Sequence, residues 1–266
     1  MRRQSAATAS TVAPPKSGRR TMQFIGSALF NAIMWLSVLI YAPLMLFTFP
    51  LPFRQRYYLI SRWAALQIWL LGVLCGVRYE IRGREHIPSG PAIVMAKHQS
   101  TWETFALPVI FPPQTWVLKR ELMWVPLFGW ALALLKPIAI NRGSGREAIR
   151  QVISQGRNRL DAGIWVTVFP EGTRVAPGYR RRWGSGGAVL AVHTGYPVVP
   201  VAHNAGHYWP RRKFLKRPGT IQVVIGPPVE PGDNGSEEVL RRAEDWVTRT
   251  MEQLEGTKSE MLRRKR

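Results

Sequence analysis

From Phe24 to Phe53 the chain carries no charged residue, and no other stretch restricts its fold as much. The run exceeds the roughly 20 apolar residues that a helix needs to cross a bilayer. A helix made from it is apolar on most of its surface and must find lipid or a protein core. A second uncharged segment, Trp63 to Val77, follows the basic stretch LPFRQRYYLISR. At about fifteen residues it falls short of that spanning length. Were both segments to cross, Arg54, Arg56 and Arg62 would lie on the opposite side from the basic N-terminus, against the positive-inside tendency. The sequence therefore predicts a two-helix hairpin over residues 22–78, turning near Pro50-Leu51-Pro52 and dipping into one leaflet. The alternative is a single spanning helix followed by a core helix. Residues 1–21, small, polar and basic, read as a disordered arm able to touch anionic lipid. The apolar run is too long for the core of a signal peptide, and no small-x-small cleavage site closes it.

The formal net charge of +21 calls for an anionic partner. The 11 Trp residues among so many Arg are the mixture found in a headgroup layer. An anionic membrane surface is therefore the expected partner, and nucleic acid is not. Cys75 is the only cysteine, which excludes a disulfide framework and a CxxC metal site and fits a reducing, cytoplasmic setting.

From Tyr79 the pattern changes to short apolar runs: 92–96, 115–119, 137–140, 165–169, 198–202 and 221–225. Helical periods lie between several of them, at 146–162 and 184–194, and an amphipathic helix spans 236–255. Runs that are apolar throughout and separated by helices predict an α/β domain over 79–256, with a mostly parallel mixed sheet flanked by helices. A basic tail, 257–266, completes the chain.

The chemistry gathers in two segments. In IVMAKHQSTWETF a buried strand ends at Ala96, and His98 follows in the loop at its carboxyl end, where α/β sheets place their sites. Glu103, five residues on, can hold one ring nitrogen's proton and leave the other nitrogen to accept a proton from a hydroxyl. The same Ser100-Thr101-Trp102-Glu103 is also a capping box, in which Glu103 only satisfies a helix start. In WVTVFPEGTR a strand runs into a turn where Gly172 permits close backbone approach, and Thr173 and Arg174 can donate to phosphate or carboxylate oxygens. Lys119 and Arg142 stand after two further strands, as phosphate clamps or as solvated surface charges.

In this order the segments resemble the glycerolipid acyltransferases of the 1-acylglycerol-3-phosphate (lysophosphatidic acid) acyltransferase family. His98 to Glu103 is similar to that family's His-x4-Asp block, with Glu in place of Asp. KPIAINRG resembles its second block, and Phe169 to Arg174 matches its Phe-Pro-Glu-Gly-Thr-Arg block at every position. YPVVPVAHNAG resembles its apolar, proline-containing fourth block. The resemblance covers roughly residues 79–230. It implies that His98, oriented by Glu103, deprotonates the sn-2 hydroxyl of a lysophospholipid, which attacks the thioester of acyl-CoA or acyl-carrier protein. It also implies that Lys119, Arg142, Glu171, Gly172, Thr173 and Arg174 bind the glycerol phosphate, while Pro197 shapes the acyl-chain side. No cofactor is expected beyond the thioester co-substrate, and no metal, since His86, His193, His203 and His207 lack a metal-ligand spacing. The expected place is the cytoplasmic membrane, with the site on its cytoplasmic face. Other acceptors (lyso-ornithine lipid, lysophosphatidylethanolamine, glycerol 3-phosphate) share these motifs. A non-enzymatic anionic-membrane or nucleic-acid binder would not need His98, Glu103 and the FPEGTR turn together. A hydrolase lacks a GxSxG-type nucleophile turn.

Overall fold

The computed structural model of the protein describes residues 17–233 and 235–262. Most of the expected arm, 1–16, and the end of the basic tail, 263–266, lie outside the described residues. The chain runs α1 (Ser17–Leu46), α2 (Phe53–Cys75), β1 (Val77–Arg82), β2 (Ile93–Ala96), α3 (Trp102–Ile110), β3 (Gln114–Lys119), α4 (Phe128–Ala133) and β4 (Ile138–Ile140). It continues through α5 (Arg146–Asp161), β5 (Trp165–Val168), β6 (Tyr179–Arg180), α6 (Gly186–Thr194), β7 (Val198–His203), β8 (Gly219–Ile225), α7 (Ser236–Glu255) and β9 (Glu260–Met261).

The two apolar segments form antiparallel packed helices. Tyr41 Oη donates to the Leu59 carbonyl at 2.6 Å, and Trp63 Nε1 and Gln67 Nε2 both donate to Ser37 Oγ at 3.1 Å. The helices touch most closely at Gly26, where a Cβ would stand 2.0 Å from the Leu74 carbonyl oxygen; any side chain there forces them apart. Two boundaries differ from the sequence reading. Helix α1 starts at Ser17, inside the expected arm, because nothing from there to Phe24 breaks a helix and the apolar run propagates backward. The second helix is longer than the uncharged segment Trp63 to Val77, because the basic stretch before it supplies the first turns of α2, which Pro52 opens and left-handed Gly76 closes. Both helices are long and apolar enough to cross a membrane.

Seven strands form one sheet in the order β1-β8-β7-β2-β5-β3-β4, parallel at every pairing except β7–β8. Parallel neighbours need crossover connections, and α3, α4, α5 and α6 supply them. Alternation along β2 shows how the layers are filled. Ala92, Val94 and Ala96 pack with Phe30 of α1, Leu71 of α2 and Trp102 of α3, whereas Ile93 and Met95 face Leu160 of α5, Leu190 of α6 and Val247 of α7. Each such fully buried aliphatic side chain contributes about 1.5–3 kcal/mol. The six apolar runs all lie in strands, and the edge strand β1 adds a seventh that begins at Val77, before the expected domain start. The tail also gains structure, since β9 pairs with β6.

Register fixes which loops share an edge. Met95 lies opposite Val168, Trp116 opposite Thr167 and Lys119 opposite Ile140. The chain segments after β2, β5, β3 and β4 therefore all leave the carboxyl edge of the sheet together.

Candidate active site

That edge brings the His98 loop beside the FPEGTR turn. His98 Nδ1 lies 2.8 Å from Glu103 Oε1, and the ring stacks on Phe169 with centroids 4.1 Å apart and planes 19° apart. A carboxylate can only accept here, so Nδ1 carries the proton and Nε2 keeps its lone pair. No described residue bonds Nε2. The same Glu103 oxygen accepts the backbone N–H groups of Gln99 at 2.8 Å and Ser100 at 2.7 Å. One Glu103 oxygen therefore meets the His98 ring and also satisfies the start of α3. Glu103 is fully buried. Burial alone would raise its carboxyl, but the His203 ring, the His98 contact and the Ser100 N–H together hold it below its ordinary value.

His203 is a structural histidine. It is buried, donates from Nε2 to the Lys97 carbonyl at 2.8 Å and accepts the Ala205 N–H at Nδ1. Burial lowers its pKa, with Glu103 and the bond to the Lys97 carbonyl opposing.

The FPEGTR segment folds as a tight turn. Gly172 N donates to the Phe169 carbonyl at 3.0 Å, with Pro170 in the position that its ring pre-sets. Gly172 takes φ +68°, a conformation that disfavours side chains with a Cβ. The turn is stitched to the His98 loop by Val175 N, which donates to the His98 carbonyl at 2.7 Å. Glu171 points inward. One of its oxygens takes the Lys97 ammonium at 2.5 Å, and the other takes the His98 N–H at 3.1 Å. Burial pushes the Glu171 carboxyl up, with Lys97 and the His98 N–H drawing it back. Arg174 is half-buried. Burial lowers its guanidinium pKa, Glu103 opposes this and Arg211 adds to it.

The remaining expected residues are spread more widely. Lys119 ends β3 on the same edge, 53% exposed and 2.7 Å from Glu121. Arg142 opens the short turn Arg142–Ser144 after β4, also on that edge; its side chain lies outside the described residues. Pro197 is the correction. It precedes β7, and its carbonyl accepts the N–H of Ile93 at the start of β2. It therefore sits at the amino edge of the sheet, a strand's length from His98, and does not line this site. Sequence reasoning missed Lys97, which directly precedes His98, and gave Phe169 no role of its own although it opens the FPEGTR block. A lysine beside a catalytic loop reads as solvated until a buried carboxylate is found against it.

Residues 78–204 match the family model described as Acyltransferase. The chain is 48% identical over 239 residues to a 1-acyl-sn-glycerol-3-phosphate acyltransferase of Pseudomonas aeruginosa, covering 88% of this chain and 93% of that protein. It is 32% identical over 160 residues to the alpha enzyme of the same name from Mus musculus, covering 59% of this chain and 56% of that one. Among solved structures it resembles the 1-acyl-sn-glycerophosphate (LPA) acyltransferase PlsC from Thermotoga maritima. The TM-score is 0.74 at 25% identity, over 91% of this chain and 100% of that one. With a catalytic-type His98–Glu103 pair beside an intact FPEGTR turn, and near-half identity across almost its full length, the chain belongs to the 1-acyl-sn-glycerol-3-phosphate acyltransferase family.

Proposed function

We propose that the protein transfers a fatty acyl group from acyl-CoA or acyl-carrier protein to the sn-2 hydroxyl of 1-acylglycerol 3-phosphate, giving phosphatidic acid. The observation that carries this reading is His98: Nδ1 is held by Glu103 at 2.8 Å, and no described residue bonds Nε2, which lies beside the FPEGTR turn. His98 Nε2 takes the hydroxyl proton as the oxygen attacks the thioester carbonyl. The tetrahedral intermediate collapses, the C–S bond breaks, and the imidazolium returns its proton to the leaving thiolate. The backbone N–H groups of His98, Gln99, Ser100 and Gly172 already bond internal acceptors. Thr173 and Arg174 are thus the part of the turn left to meet oxyanion or phosphate, with Arg142 and Lys119 further along the edge. Glu171, with both oxygens engaged, positions the loop and does not bind substrate. The reaction uses no metal or cofactor beyond the thioester, so chelation leaves turnover unchanged.

The lysolipid substrate lies in a leaflet, and the α1–α2 hairpin docks there, on the cytoplasmic face of the cytoplasmic membrane. Its uncovered residues include Phe24, Trp35, Leu39, Phe47 and Trp69. The deciding experiment is acylation of 1-acylglycerol 3-phosphate by purified protein in detergent, with each thioester donor, and phospholipase A2 digestion to locate the new chain. Wild type is expected to form phosphatidic acid acylated at sn-2, and His98→Ala to lose about 10²–10⁴-fold in kcat. Equal activity in the folded variant removes His98 as the base. Activity only on lyso-ornithine lipid or lysophosphatidylethanolamine keeps the chemistry and changes the acceptor.

A further inference from the structure

Lys216, in the β7–β8 connection, is 1% exposed and has no carboxylate partner among the described residues. Its ammonium donates to Asn31 Oδ1 at 2.5 Å and to the Phe214 carbonyl at 3.0 Å. It also lies over three aromatic rings, 5.2 Å from the centroid of Phe30, 5.1 Å from Trp209 and 5.8 Å from Phe214. Such rings attract a cation most strongly when water is excluded. The backbone of Lys216 is gripped as well: its N–H donates to Ser27 Oγ at 3.0 Å, and its carbonyl accepts Gln23 Nε2 at 2.8 Å. Gln23, Ser27 and Asn31 recur every four residues, so they form one polar stripe on the otherwise apolar α1. That stripe meets the β7–β8 connection at Lys216 and, through Asn31 Nδ2, at the Phe214 carbonyl.

The cage connects onward to the base. The Trp209 ring meets Phe30 of α1 edge-on at 5.2 Å and stacks on Phe105 of α3 at 6.1 Å. Its carbonyl accepts the Ser100 hydroxyl at 2.6 Å. Ser100 N–H in turn donates to Glu103 Oε1, the oxygen that holds His98.

We propose that Lys216 is a positioning residue for acyl transfer: it clamps α1 to Trp209, whose carbonyl seats Ser100 and thereby holds Glu103 where it orients His98. The hairpin is then part of the catalytic framework as well as its anchor. This rests on His98 being the base.

The test uses the full chain in detergent micelles with a short-chain 1-acylglycerol 3-phosphate that is water-soluble, so that docking on a bilayer plays no part. Lys216→Met keeps the apolar stem and removes the ammonium. Its kcat is expected to fall about tenfold, with KM within about twofold of wild type, and Lys216→Arg to keep more of the rate. In a double-mutant cycle, Ser100→Ala and Lys216→Met together should cost less than the product of their separate effects, because both act on Glu103. A kcat unchanged on the soluble acceptor, with loss only on vesicles, overturns the proposal, as do independent effects in the cycle. Should Lys216→Met fail to fold, Asn31→Leu carries the same kcat test. If wild type transfers no acyl group at all, the reading of His98 as base is what fails. The clamp is then judged by the ¹⁵N chemical shifts of the labelled His98 ring, which should move in Lys216→Met; unmoved shifts overturn it.

Discussion

Glu171 holds Lys97 at 2.5 Å through one oxygen and the neighbouring His98 N–H at 3.1 Å through the other. The motif glutamate thus points inward and fixes the backbone that carries His98. Lys97 and Glu171 are both buried, so removing one partner leaves an uncompensated group in a low dielectric. Glu171→Gln should destabilise the fold by about 3–5 kcal/mol, measured from the denaturant midpoint. Lys97→Met combined with Glu171→Leu should cost less than Glu171→Gln, since no lone charge remains. In kinetics the surviving fraction of Glu171→Gln should show a lower kcat with an unaltered KM for the lysolipid. A raised KM with normal kcat would return Glu171 to the phosphate site.

Glu103 stands where the family pattern has Asp, and its length is used in full. One oxygen meets His98 Nδ1, Gln99 N and Ser100 N, all within 2.8 Å. Aspartate sets the carboxylate back by one methylene, so it cannot keep all three contacts without moving the start of α3. Glu103→Asp is therefore expected to lose on the order of 10²-fold in kcat, the scale of an ångström's misplacement at a reacting group. Steady-state rates on one acceptor decide it. Wild-type activity in Glu103→Asp would mean that the loop adjusts freely and that His98 is oriented by more than this contact.

The sheet was legible because strands buried on both faces favour apolar side chains, as Ile93 to Ala96 show; in Trp165 to Val168 only Thr167 departs, and its hydroxyl bonds Gln114. The edge strand β1 alternates instead, with Arg78, Glu80 and Arg82 turned outward, and so lacks that signature. The two-residue pairing of β6 with β9 is too short to leave any period. Motif residues told which strands carry the site but not which way each side chain points. Pro197 and His203 bracket the same strand, yet they stand at opposite edges. Glu171 and Arg174 share a turn, yet one is buried against Lys97 and the other half-exposed. The polar stripe of Gln23, Ser27 and Asn31 was visible in the sequence, but its partner Lys216 lies nearly 190 residues away. Only the packed structure joins them.

Lys216 also makes a prediction about pH. Burial lowers its pKa from the ordinary 10.5 to about 8. Between those values the unfolded chain keeps the proton and the folded chain has released it. The unfolded state then binds more protons, so raising the pH through this window favours the folded state. Wild type should gain stability relative to Lys216→Met from about pH 8 upward, and the gain should level off above about 10.5, at no more than about 3 kcal/mol. The neighbouring Cys75 thiol interacts electrostatically with Lys216, so both proteins are compared in a Cys75→Ala background. Denaturant midpoints of the two proteins across this range supply the measurement. A difference that stays flat would mean that the three rings, Asn31 Oδ1 and the Phe214 carbonyl offset the desolvation of the ammonium in full.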